Sequence, residues 1–131
     1  MSRRTQGLAL VVAMVMWACS HNPTGPQAGT LYVKLQSPNS GADGAILLTL
    51  STPGPVTHVA VTGPDTLWTT DYSSTNSKVL ITGAISGGVI LKFDVDDVNL
   101  VSQYLVTVDQ VASSSDYSLR SLSQYVAFVS R

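Results

Sequence analysis

From Thr30 to the C-terminus, apolar side chains recur at every second residue in short runs, and clusters of Gly, Pro, Ser, Asn and Asp interrupt those runs at regular spacing. A period of two puts alternate side chains on opposite faces of an extended strand, so the pattern excludes helix as the dominant element. The runs cover residues 31–35, 45–50, 56–62, 66–71, 78–82, 89–95, 103–112 and 124–130, while 117–123 reads as either a further strand or a short helical turn. Eight or nine short strands, separated by turns and without an internal repeat, predict an all-β chain folded as an antiparallel β-sandwich, with a small barrel as the alternative.

Some runs carry finer information. In 89–95, Val89, Leu91, Phe93 and Val95 form one apolar face and Ile90, Lys92 and Asp94 the other, so a one-residue slip would bury two charges. Leu67 and Trp68 are sequence neighbours and must point to opposite faces. The near-continuous apolar run at 124–130 predicts a central place in its sheet. Cys19 is the only cysteine, so no intramolecular disulfide is available and the core alone must hold the strands together.

The start of the chain follows a different rule. Arg3 and Arg4 precede an apolar stretch at 7–18, which at twelve residues falls short of the about twenty needed to span a bilayer and matches the h-region of a secretion signal. Ala18 directly before Cys19, with Met16 two residues earlier, resembles the lipobox of bacterial lipoproteins. That resemblance implies cleavage before Cys19 and lipid attachment to it. An ordinary secretory signal with an incidental cysteine is the alternative. The expected organisation is a signal helix at 1–18, a lipidated flexible tether at 19–29 and a β-sandwich domain at 30–131. Lipoprotein processing would export the protein and anchor it to a bacterial membrane. Ser20, standing where an inner-membrane retention aspartate is absent, points to the outer membrane if the host has one.

Charge narrows the partners. Beyond the leader, five basic residues (Lys34, Lys78, Lys92, Arg120 and Arg131) face eight aspartates and no glutamate, a net charge of −3. Nucleic acid is excluded, because no run of Lys or Arg is present to release counterions from phosphates.

Four segments resemble cohesin-like sandwiches: GAILLTL at 44–50, KVLITG at 78–83, GGVILKFDV at 87–95 and DQVA at 109–112. The resemblance implies an Ig-like or cohesin-like sandwich. Cohesins bind partner domains through a sheet face, and related sandwiches bind carbohydrate.

Catalytic signatures are missing from the sequence. His58 is the one candidate base in the domain, and no Gly-x-Ser-x-Gly elbow accompanies it. The glycines at 83–88 lack the spacing and the following lysine of a phosphate cradle. A non-enzymatic protein with no catalytic residue and no cofactor is therefore expected. Asp94, Asp96 and Asp97, with Asn99, offer hard oxygen ligands of the kind Ca²⁺ prefers; a turn after a strand is the competing reading of the same residues. Trp68, Tyr72 and Tyr32 are the aromatics placed to meet a partner, with core packing the favoured alternative for Trp68. The functional expectation is a lipid-anchored envelope protein whose sandwich binds a protein or glycan. A structural lipoprotein that joins an envelope assembly by edge-strand pairing is the second reading.

Overall fold

The computed structural model describes residues 25–69 and 75–131. The expected signal helix, Cys19, the first part of the tether and Tyr72 lie outside the described residues. Eight strands form among those described: β1 (Gly29–Gln36), β2 (Asp43–Ser51), β3 (Thr57–Val61), β4 (Thr66–Thr69), β5 (Asn76–Ile85), β6 (Gly88–Val95), β7 (Leu105–Ser113) and β8 (Val126–Ser130). A 3₁₀ segment, Val98–Gln103, separates β6 from β7. It starts where the Asp97 carboxylate accepts from the Asn99 backbone N–H, and it buries Val98.

The strands make two antiparallel four-stranded sheets, β3-β6-β1-β8 and β4-β5-β2-β7. Only β4 and β5 are consecutive within one sheet; every other connection crosses between sheets. The pairs β4·β5, β3·β6, β2·β7 and β1·β8 are nested about the β4–β5 hairpin, as in a two-stranded ribbon rolled on itself, the logic of a jelly roll. The β1·β6 and β2·β5 pairings join successive turns of the ribbon into sheets.

One core lies between the sheets. Leu31, Val33 and Leu35 of β1 and Leu91, Phe93 and Val95 of β6 face Ile46, Leu48 and Leu50 of β2 and Val79 and Ile81 of β5, all buried. These are the alternate positions that the period of two selects. The Tyr104 ring follows the 3₁₀ segment and closes over Phe93 at 5.8 Å between centroids. Burial, and then the charges of Asp96 and Asp97, raise its phenol pKa.

Two expectations from periodicity fail, each for a local reason. The β1–β6 register runs Val33↔Leu91 and then Lys34↔Val89, which leaves Ile90 as the extra residue of a bulge. Ile90 therefore turns inward, 3% exposed, and Val89 outward, 38% exposed, reversing the faces expected of them. The C-terminal run does not lie centrally: β8 is an edge strand. Its Ala127 and Val129 pack on the core while Val126 and Phe128 stay exposed. Continuous apolarity there reflects an uncovered outer face rather than burial on both sides.

Residues 114–125 leave β7 and return along its edge, where Arg120 N–H donates to Val111 O and Ser113 N–H to Ser118 O. This strap is pinned by Asp43, the first residue of β2, which is fully buried. Arg120 Nε lies 2.9 Å from Asp43 Oδ1, the Tyr125 hydroxyl donates to the same oxygen at 2.7 Å, and the Ser37 hydroxyl donates to Oδ2 at 2.6 Å. The strap runs so close to β2 that a Cβ on Gly44 would sit 2.7 Å from Ser114 Cα. Removing one partner of a buried ion pair leaves the other charge uncompensated, so Asp43→Ala is expected to destabilise the domain by about 3–5 kcal/mol in urea unfolding. A loss below about 1 kcal/mol would show that Asp43 does not hold the strap.

Candidate functional site

The outer face of the β4-β5-β2-β7 sheet carries the most distinctive surface. Leu67 packs against the core, so the next residue, Trp68, projects outward and is 58% exposed. Register continues the row across the sheet: Trp68↔Leu80 between β4 and β5, Leu80↔Leu47 between β5 and β2, and Leu47↔Gln110 between β2 and β7. At about 4.8 Å between strands the four positions span about 14 Å. Threonines border the row, with Thr66↔Thr82 on one side and Thr49↔Thr107 on the other. The Trp68 indole N–H donates to Thr82 Oγ1 at 3.3 Å, which restrains the ring on the sheet.

Charge is balanced on this face. The four strands contain three ionisable side chains, Asp43, Lys78 and Asp109, and Asp43 is buried. Lys78 Nζ lies 2.8 Å from Asp109 Oδ2, and Thr49 links the two, accepting from Lys78 and donating to Asp109. Asp109 belongs to the irregular step in β7 between the pairs Leu47↔Gln110 and Leu48↔Val108, which brings its carboxylate to the outer face. Partial burial pushes the Asp109 carboxyl up, but hydrogen bonds from Lys78 and Thr49 and the ammonium charge outweigh it, and the net shift is downward.

The other sequence candidates lie elsewhere. Tyr32 is half-buried on the outer face of the opposite sheet, between Lys92 and Ser130, so it shares no surface with Trp68. His58, at a left-handed φ of 50°, places Nδ1 3.0 Å from Asp94 Oδ2. The Thr30 hydroxyl donates to Asp94 Oδ1 at 2.7 Å. The nearby hydroxyl thus serves the carboxylate rather than the imidazole, and the arrangement is not that of a serine-type triad.

Asp94, Asp96 and Asp97 do not converge. Asp94 is engaged by Thr30 and His58, and Asp97 accepts from the backbone N–H groups of Gln27 and Asn99. Among the described residues no group of three His, Cys, Asp or Glu side chains is arranged to hold a metal ion. The Gln27 and then the Asn99 N–H bonds lower the Asp97 pKa, as the Ser118 backbone and side-chain bonds do for Asp116.

Sequence reasoning did not single out Leu80, Leu47, Lys78 and Asp109. Period two sends Leu47 outward, but only the cross-strand register aligns it with Leu80 and Trp68. Comparison with known protein families, with curated proteins and with solved structures finds no match for the chain.

The lowered carboxylates couple stability to pH on the acid side. A carboxylate whose folded pKa is depressed contributes stability that is fully present above its unfolded value and is lost as pH falls through the folded one. Stability is therefore expected to hold above the usual carboxylate value of 3.8 and to decline below it as Asp97, Asp109 and Asp116 protonate. In urea titrations at several pH values, Asp109→Asn is expected to show a shallower acid decline than the wild type; an unchanged slope would contradict the Lys78–Asp109 linkage.

Proposed function

We propose that this chain is a lipid-anchored, non-enzymatic envelope protein whose β-sandwich binds a protein or glycan partner through the outer face of the β4-β5-β2-β7 sheet. The observation that carries this reading is the row formed by exposed Trp68 and Leu80 and half-buried Leu47 on a charge-balanced, hydroxyl-bordered surface. A contiguous apolar patch rimmed by polar groups is how interaction sites differ from ordinary surface, and a large aromatic is the usual anchor of such a site. The segments 44–50 and 78–83, which resemble cohesin-like sandwiches, fall in β2 and β5, the two central strands of this face.

The leader supports the location. An apolar stretch at 7–18 ending in Ala18–Cys19 is the pattern of an exported lipoprotein, and each methylene of an attached chain adds about 0.8 kcal/mol of membrane binding. The polar linker behind Cys19, with its Pro and Gly residues, ends at Gln27, which bonds Asp97 and Val98; residues 20–26 would reach at most about 25 Å and let the domain turn its face to a neighbour.

A second reading, assembly through edge-strand pairing, draws on β8. That strand closes one edge of its sheet, contains no proline and exposes Val126 and Phe128, the features of an edge able to accept another strand.

The mature protein and its Trp68→Ala variant, applied to glycan arrays and to envelope pull-downs, distinguish these readings. Binding by the wild type that weakens at least about tenfold in the variant, with an unchanged urea midpoint, is expected. Failure of the wild type on both, or binding indifferent to Trp68, would reject the face. Mass spectrometry of the mature N-terminus is expected to find a lipidated Cys19, and Cys19→Ala is expected to release the protein from membranes.

A further inference from the structure

The strap and the β1–β2 turn flank an open groove of about 570 Å³ at one end of the sandwich, lined by Asn39, Leu119, Arg120, Ser121, Ser123 and Gln124 among others. Sites for small molecules run from about 300 to 1,000 Å³. We infer that this cleft is a binding site for a short neutral saccharide, separate from the sheet face and independent of it.

Both walls are fixed by one carboxylate. On the turn side, Ser37 donates to Asp43 Oδ2, and Asn39 Nδ2 donates to the Tyr125 hydroxyl at 3.0 Å. That hydroxyl in turn donates to Asp43 Oδ1. On the strap side, Arg120 pairs with Asp43 and Nη2 donates to Ala42 O at 3.0 Å. The cleft is therefore preorganised, and a ligand does not have to order its walls on entry.

The lining selects the ligand. Arg120 is the one ionisable lining residue, and its charge is matched by Asp43 beneath it, so a phosphate or carboxylate would meet no net positive field. Two amides, the serine hydroxyls at 121 and 123, and the exposed quarter of the Arg120 side chain provide donors and acceptors in the mixed supply that vicinal hydroxyls require, while the Ser118 hydroxyl is committed to Asp116. Leu119 is exposed at the rim and offers apolar surface to the C–H face of a sugar ring. A peptide would require a deeper apolar pocket for a side chain, or a strand edge; the edge of β7 at this end is already used by Ser118 and Arg120.

The test titrates ¹⁵N-labelled full chain, held in a zwitterionic detergent without sugar groups, with maltotriose, cellotriose and triacetylchitotriose at concentrations up to about 20 mM, enough to approach saturation of a site with a Kd of about 1 mM. Saturable amide shifts at Ser121, Ser123 and Gln124 with at least one trisaccharide are expected. The affinity should fall about tenfold in Gln124→Ala and in Ser121→Ala, both at exposed positions, and stay unchanged in Trp68→Ala. No saturable shift in the cleft with any of the three sugars, or shifts indifferent to both cleft variants, would overturn the proposal. Loss of the shifts in Trp68→Ala alone would assign sugar binding to the sheet face and equally reject the cleft.

Discussion

Leu67 and Trp68 cannot both be buried. They are adjacent in a strand, and a strand facing one core can hide only every second side chain. Because β4 is paired to β5 through Leu67↔Ile81 and Trp68↔Leu80, placing Leu67 against the core with Ile81 commits Trp68 and Leu80 to the outside together. The same step across β2 commits Leu47. The apolar row on the outer face is thus a geometric consequence of how the core is filled. What chemistry adds is its border of threonines and a single neutralised ion pair, Lys78–Asp109.

That core has to be assembled from distant parts of the chain. The nested pairing brings Tyr32 opposite Ser130 and Ser51 opposite Leu105, so most ladders close long loops before they gain hydrogen bonds, a topology that folds in milliseconds to seconds. No disulfide assists among the described residues, and the buried Asp43 carboxylate takes over part of that role at one end. It joins the β1–β2 turn, the start of β2 and the strap through Ser37, Arg120 and Tyr125. A buried charge of this kind is a poor source of net stability but a strong determinant of where the strap must lie.

Much of this was legible in the sequence. The all-β class, the two-sheet sandwich and the inward faces of β1, β2 and most of β6 follow from a period of two. The bulge at Ile90 did not, because an inserted residue leaves the apolar composition of the run unchanged while exchanging the faces of Val89 and Ile90. The edge position of β8 was hidden for a related reason: Val126 and Phe128 have the same identities that a doubly buried strand would have. Asp43, Arg120 and Tyr125 come together across up to 82 positions of sequence, and no local motif announces a contact of that range. Trp68 was a candidate for partner contact with core packing favoured, and its 58% exposure overturns the core packing; its neighbours Leu80 and Leu47 are defined by cross-strand register alone.

The central proposal is that the outer face of the β4-β5-β2-β7 sheet is where the domain would bind a partner. A photoreactive diazirine residue introduced in place of Leu80 tests it most directly, compared with the same residue in place of Lys34 on the opposite sheet, each irradiated in intact producing cells. The account predicts one discrete cross-linked species from position 80, suppressed by Trp68→Ala, and none from position 34. Cross-linking of equal yield from both positions, or from position 34 alone, would contradict it.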